Sequence, residues 1–344
     1  MFSQPQYDAL QHGAGMVDRS ARGRLILTGT DRRAYLQGIL TNDIAALGAG
    51  EGCYAALLTP QGRMISDMRV SEAGDHLLID LPAPTAQAVR QRLTDFIFTE
   101  DVEVRDVQAE YSQFGVYGPR AADFLDGAMP QDASRSDERS LSKELGSLPL
   151  DANVQRRFKG VPVLLVRSDD FGIPGFEVFV TGSADELTAT VREAGAVDVS
   201  PGTAQVVRVE AGRPEFGVDM DEHTIPLEAG IEDRAISLTK GCYVGQEVII
   251  RVLHRGHGRV AKNLVGLSAD SHDGAIERGH RIHAGGKEIG IVTSAVRSPK
   301  LQRSIALGYV HRDFTDPGTR VEIGAGDRVL HASVVSLPFA APAT

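Results

Sequence analysis

The sequence predicts an α+β fold with largely antiparallel sheets, ending in a small β-barrel-like unit. Three observations predict it. Residues from about 20 to 110 alternate short apolar runs with turns and mix strand and helix patterns. Residues from about 111 to 200 repeat that texture. From Val260 onward the pattern changes to short strands separated by glycine turns.

The elements follow in order. Gly23 to Gly29 reads as a strand, and Asp31 to Leu40 as a short helix with Asp31 as its N-cap. Cys53 to Leu58, Arg69-Val70 and His76 to Asp80 read as strands. Thr85 to Phe96 places Ala86, Val89, Leu93 and Phe96 at helical spacing. Phe114 to Tyr117 is a strand, with a helix beginning near Gly118-Pro119-Arg120. Ala133 to Leu150 is polar and Ser/Asp-rich, which predicts an irregular stretch. Val161 to Val166 and Phe176 to Val180 read as strands, and Ala184 to Ala194 as a helix. The last unit holds strands at Leu264 to Leu267, Gly279 to His283, Glu288 to Val296, Ile305 to Val310, Arg320 to Ile323 and Val329 to Ser336. Gly285-Gly286 fits a two-residue hairpin turn. The expected division is 1–110, 111–256 interleaved with it, a barrel over 257–338, and a loose tail over 339–344.

Composition narrows the function classes. The 344 residues are 42% hydrophobic and 24% charged, ordinary for a globular chain of two or three domains. No apolar run approaches the ~20 residues of a membrane span. Met1 to Leu10 is polar, without a basic-then-apolar signal pattern, which predicts a cytoplasmic protein with no membrane partner. A net charge of −10 argues against DNA as a partner. Cys53 and Cys242 make no disulfide framework, and two thiols do not suffice for an iron–sulfur cluster. The chain holds no GxGxxG, Walker A or HExxH motif. His254/His257 and His280/His283 are pairs, fewer than the three or four ligands of a zinc site, so no metal is expected.

Lys240-Gly241-Cys242-Tyr243-Val244-Gly245-Gln246-Glu247 carries the most information. Gly241 and Gly245 permit tight turns, and Gln246 to Arg251 reads as a helix. Cys242 then sits just before a helix N-terminus with Lys240 near it. Free amide N–H groups and a cation favour a thiolate. The alternative is a buried cysteine acting as a small hydrophobe. Tyr243 reads as a packing residue.

This octapeptide resembles the K-G-C-Y-x-G-Q-E motif of YgfZ-type folate-binding proteins, a branch of the T-protein (aminomethyltransferase) superfamily. The resemblance extends over Gly29 to Ile44, Arg208 to Gly217, Asp219 to Glu228, Gly290 to Ser298 and Ala306 to Val310. It implies three compact parts around a central folate cavity, with tetrahydrofolate or a derivative as cofactor. It also implies a role in iron–sulfur cluster assembly or repair, with iron–sulfur proteins or assembly factors as partners.

The resemblance nominates residues. Phe171 to Val178 is similar to the segment whose final Glu grips the pterin, here Glu177; one carboxylate can accept two adjacent pterin N–H groups. The alternative is a surface Glu at a strand start. Phe171 is either an apolar wall for the ring or simple packing. Arg208 matches the superfamily Arg whose fork suits a pterin carbonyl or carboxylate, or it pairs with Glu210 or another acid. Arg213 and Arg251 are candidates for the acidic folate tail. The paired-Asp segment of glycine-cleavage T-proteins aligns with Gly62 to Val70: Asp67 matches the second, catalytic Asp, and Ser66 replaces the first. The Asn that T-proteins carry after the next strand aligns with Asp80. Asp67 is otherwise a hydrogen-bonded loop residue. The expected function is therefore a folate-binding accessory of iron–sulfur metabolism rather than a standard enzyme, with Cys242 as its functional thiol. The alternative is a folate-dependent aminomethyltransferase or demethylase acting through Asp67.

Overall fold

The computed structural model describes residues 1–129, 140–254, 258–270, 275–326 and 328–339. The chain opens with α1 (Gln4–His12), β1 (Gly15–Asp18), β2 (Arg22–Thr28) and α2 (Arg32–Gln37). Next come β3 (Gly52–Leu58), β4 (Met64–Glu72), β5 (Leu77–Pro82), α3 (Ala83–Asp95) and β6 (Glu103–Asp106). The second stretch holds β7 (Tyr111–Tyr117), α4 (Ala121–Ala128), α5 (Leu141–Ser147), β8 (Asn153–Phe158), β9 (Val161–Ser168), β10 (Gly175–Thr181), α6 (Asp185–Glu193) and β11 (Val197–Val199). Helices α7 (Pro201–Glu210), α8 (Pro226–Ala229), α9 (Glu232–Ala235) and α10 (Gln246–His254) follow. Strands β12 (Lys262–Ala269), β13 (Arg281–Ala284), β14 (Lys287–Ser298), β15 (Arg303–His311), β16 (Arg320–Ala325) and β17 (Arg328–Val335) complete the chain.

The strands make a five-stranded sheet in the order β3-β4-β5-β2-β6 and a six-stranded sheet in the order β11-β1-β7-β10-β9-β8. The last six close into a barrel, β12-β15-β14-β13-β16-β17. The α+β class and the C-terminal barrel stand as expected from the sequence. Gly285 and Gly286 form the β13–β14 turn with φ of 58° and 76°, the two positive values such a turn needs.

Each sheet is covered on both faces. Alternation along β5 sends Leu77, Ile79 and Leu81 toward α2 and α3, where they pack with Leu36, Val89 and Leu93. Leu78 and Asp80 face the other way. In the six-stranded sheet Phe176 and Val178 pack with α4, α5 and α6, while Glu177 and Phe179 face the five-stranded sheet. Ile26, Leu78, Leu164, Val166 and Phe179 form an apolar cluster between the sheets. Beyond it the same two faces turn polar, and the candidate site lies there.

Residues 1–110 and 111–256 interleave: β1 sits between β7 and β11 in the second sheet. Two expectations are corrected. The stretch from Ala133 to Leu150 contains α5, whose Leu141 and Leu145 pack into the second core; its first part, through 139, lies outside the described residues. Asp31 makes no side-chain cap on α2; its carboxylate accepts the Asp101 amide at 2.8 Å. Of the expected loose tail over 339–344, Phe339 is held, its amide donating to the Glu210 carbonyl at 3.0 Å; residues 340–344 and His257 lie outside the described residues. Among the described residues no helix is long and apolar enough to cross a membrane.

Phe179 is almost fully enclosed between the sheets. Phe179→Ala should cost ~3–5 kcal/mol of stability, read by urea unfolding. A cost below ~1 kcal/mol would show that the apolar cluster does not hold the sheets together.

Candidate functional site

Register assembles the first half of the site. Arg24, Asp80, Arg69 and Tyr54 are paired in turn across β2, β5, β4 and β3, so they share one sheet face. Asp67 precedes Arg69 by two residues and joins the same face. The Tyr54 hydroxyl donates to Asp67 Oδ2 at 2.7 Å. Across the gap stand Gln113 and Tyr117 of β7 and Glu177 of β10. Arg24 donates to Gln113 Oε1 at 3.0 Å, and Gln113 Nε2 donates to Glu177 at 2.8 Å. A single side-chain relay thus runs from one sheet to the other.

The loop after β9 supplies two adjacent carboxylates. Asp170 accepts from Arg19 at 2.6 Å and from Arg69 at 2.9 Å. Arg69 also donates to Asp151 at 2.6 Å. Asp169 accepts from Arg213, and from Arg234 at 3.0 Å. The Arg234 guanidinium lies over the Tyr54 ring at 5.0 Å. Arg22 pairs with Asp80 Oδ1 at 2.5 Å, while Asp80 Oδ2 has no partner although the residue is 2% exposed.

The electrostatics differ from one carboxyl to the next. Burial opposes the charge on Asp170, but Arg69, Arg19 and Arg22 overcome it and hold the carboxyl well below the usual range. For Asp67 burial wins: its carboxyl is raised, with the Tyr54 hydrogen bond and the Arg22 charge opposing. Burial and the Asp67 charge push the Tyr54 phenol far up, so it stays a donor.

The structure brings some of the sequence candidates together. Asp67 and Glu177 both face this gap: Glu177 is linked through Arg19 and Asp170 to Arg69, which lies two residues from Asp67 on the same face of β4. Glu177 is not a surface residue but 0% exposed. Its carboxylate accepts from Tyr117 at 2.5 Å and from Gln113 at 2.8 Å, with Arg19 Nε at 3.0 Å. The expected open two-pronged acceptor is therefore covered, with protein donors on both of its oxygens. Phe171 is buried and sets its ring edge-on to Tyr117 at 4.8 Å, which places it behind the site as a support for Tyr117. Arg213, a candidate for the folate tail, stands on Asp169.

Other candidates lie elsewhere. Arg208 is buried and held on several sides: it donates to Asp219 at 2.6 Å, Ser294 at 2.8 Å, Gln205 at 3.1 Å and the Arg213 carbonyl at 2.6 Å, with a Glu215 carboxylate oxygen 3.3 Å from its Nε. It fastens α7 to the barrel, and four of its five N–H groups are spent on that. Its suspected partner Glu210 instead accepts from Tyr7 at 2.7 Å and from Ser298. Arg251 pairs on the surface with Glu247 at 2.5 Å, one helical turn away.

The KGCYVGQE stretch divides. Cys242 is exposed, so it is not a core hydrophobe. It precedes α10 by four residues, and the Lys240 ammonium turns away into the protein, where it donates to the carbonyls of Gln37, Leu40 and Asn42. The expected cation beside the thiol is thus spent elsewhere. Burial lowers that ammonium to about 8. Tyr243 is buried with Leu58, Met64 and Ile249. Gly245 has φ of +84°, and a Cβ there would meet the Thr59 carbonyl at 2.5 Å. Gly241 has open space around it, and Gln246 opens α10.

Sequence reasoning passed over Tyr54, Arg19, Arg22, Arg69, Tyr117, Arg234, Asp169 and Asp170. A signal existed for Asp80, which interrupts the otherwise apolar run of β5, since a charge at such a position needs a buried partner.

The raised Asp67 carboxyl gives a signed prediction. Asp67 holds its proton more tightly folded than unfolded. Stability therefore falls as pH rises from the ordinary aspartate pKa near ~4 to the raised folded value, and is level above it. Asp67→Asn removes that fall. Melting temperatures measured from pH 4 to 8 should show the variant gaining on the wild type as pH rises. A difference independent of pH would contradict the raised carboxyl.

Comparison with known proteins gives the family and supports the fold. The GCVT N-terminal domain profile matches residues 2–240, and the glycine cleavage T-protein C-terminal barrel domain profile matches 262–340. An aminomethyltransferase of Rubrobacter xylanophilus is 30% identical over 97% of this chain and 85% of its own length. One from Streptomyces coelicolor is 31% identical over 97% and 88%. The crystal structure of the glycine cleavage system aminomethyltransferase T from Bartonella henselae superposes with a TM-score of 0.85 at 22% identity, covering 98% of this chain and 89% of that one. The chain belongs to the glycine cleavage T-protein family.

Proposed function

We propose that the chain binds tetrahydrofolate in the recess between its two sheets and performs aminomethyl transfer there, with Asp67 as the proton-handling carboxyl. The observation that carries this reading is Asp67 itself: a carboxyl raised by burial, held by the Tyr54 hydroxyl, with the Arg22 charge acting on it. A carboxyl with a raised pKa gives and takes protons nearer neutrality. The names of the relatives support the same reading.

The recess suits the ligand's chemistry. Arg19, Arg22, Arg213 and Arg234 keep 15, 24, 27 and 25% of their side chains exposed, which fits an anionic tail. The unpartnered Asp80 oxygen is a buried acceptor waiting for an N–H. Tetrahydrofolate supplies the nitrogens that carry the one-carbon unit. Tyr54 orients Asp67, Asp170 fixes Arg19 and Arg69, and Glu177 with Gln113 holds the far wall in place.

One observation favours a second reading. Cys242 is exposed and falls between the residues matched by the two domain profiles, and Leu238, four residues before it, is 63% exposed. That surface, the resemblance to YgfZ-type motifs and the replacement of a paired Asp by Ser66 support a folate-binding accessory role in iron–sulfur cluster assembly or repair. In that role Cys242 meets an iron–sulfur protein or assembly factor.

An aminomethyl-transfer assay with tetrahydrofolate and a lipoyl-bound amine donor separates the two. Under the first reading Asp67→Asn lowers kcat by ~10²–10⁴ while Cys242→Ser leaves it unchanged. A folded wild type with no turnover overturns it. The second reading then requires that Cys242→Ser abolish support of iron–sulfur enzyme activity in cells without lowering the melting temperature.

A further inference from the structure

β3, the strand that carries Tyr54, is an edge strand. An open edge leaves backbone N–H and C=O groups unpaired and lets the strand drift. Here residues 40–42 cover it. Leu40 bridges Leu57, the Thr41 amide donates to the Ala56 carbonyl at 3.1 Å, and the Ala56 amide donates to Thr41 Oγ1 at 2.9 Å. Asn42 then spends both amide hydrogens on the neighbours of Asp67. Its Nδ2 donates to the carbonyl of Tyr54 at 2.8 Å and to that of Arg234 at 3.0 Å.

This covering segment is itself held. The Lys240 ammonium has three N–H donors, and three carbonyls take them: Gln37 at 2.5 Å, Leu40 at 2.5 Å and Asn42 at 3.0 Å. Contacts therefore run without a gap from Lys240 to Asn42, on to Tyr54 and Arg234, and from the Tyr54 hydroxyl to Asp67.

We propose that Lys240 and Asn42 are positioning residues for Asp67, fixing the Tyr54–Arg234 stack from which the Asp67 hydrogen bond is made. The proposal rests on the reading of Asp67 as the reacting carboxyl. It gives the first residue of the KGCYVGQE stretch a task in the one-carbon site, separate from the exposed thiol two residues on. Small displacements of an orienting group are expensive for a reaction that depends on alignment.

The test uses the full-length chain with Lys240→Met, which keeps the stem and removes the ammonium, and Asn42→Ala. The readout is the ¹³C carboxyl titration of Asp67, assigned by its disappearance in Asp67→Asn. Burial sets this titration first, with Tyr54, Arg22 and Asp170 acting on it, and none of those three side chains is altered. Because the Tyr54 hydrogen bond opposes the upward shift, loosening it should move the Asp67 midpoint further up in both variants. In the transfer assay kcat should fall about tenfold or more, with KM for tetrahydrofolate changed less. Glu247→Gln, at the exposed end of the same stretch, should change neither. If Lys240→Met does not fold, Asn42→Ala decides alone. The proposal is overturned if a folded variant keeps the wild-type Asp67 titration, including the case where only its melting temperature falls. A wild type without turnover would sink the aminomethyl-transfer reading, while the carboxyl titration would still decide the positioning.

Discussion

Two adjacent carboxylates, Asp169 and Asp170, hold four arginines that arrive from separate parts of the chain. Arg19 comes from the link between β1 and β2, Arg69 from β4, Arg213 from the turn after α7, and Arg234 from α9. A guanidinium taken out of water needs an anion or it strands its charge. The two sheets and the helical segment beyond α7 can approach one another at this point only because that requirement is met. The polar recess between the sheets follows from it. Apolar residues close the gap at the Phe179 end, and ion pairs line it at the Asp170 end.

The barrel is fixed by the same means one step further along. Arg208 leaves α7 for Ser294 of β14 and for Asp219, and Thr293 donates to Asp219 at 2.6 Å. A buried arginine held by several acceptors acts as a fastening, and breaking such a pair would leave Asp219 charged and unpaired. The superficially similar arginines of this protein thus divide by exposure. Arg208 is buried, whereas Arg19, Arg22, Arg213 and Arg234 keep part of their side chains exposed.

How much of this was legible in the sequence depended on the range of the interaction. The barrel was, because its short strands are set apart by glycine turns such as Gly285-Gly286, a local signal. The place of β1 was not. It is four residues long and pairs with residues about 100 and 180 positions away, which no local pattern encodes. Asp67 was legible through its resemblance to a paired-Asp segment, but its partner Tyr54 stands on the neighbouring strand and showed only as an aromatic in a strand pattern. Asp169-Asp170 looked like any acidic turn, since nothing local marks a carboxylate that four distant arginines will reach. The KGCYVGQE stretch misled in an instructive way. Proximity in sequence placed Lys240 beside Cys242, but the backbone sends the ammonium inward to three carbonyls and leaves the thiol outside.

The central claim is that the recess organised by Asp169 and Asp170 is a folate site. Calorimetric titration of tetrahydrofolate into the wild type and into Asp170→Asn tests it most directly. Removing the charge of Asp170 releases Arg19 and Arg69 without changing the shape of the side chain. The account predicts binding by the wild type and a loss of at least about tenfold in affinity in the folded variant. No binding by the folded wild type, or equal affinity in the two proteins, would contradict it.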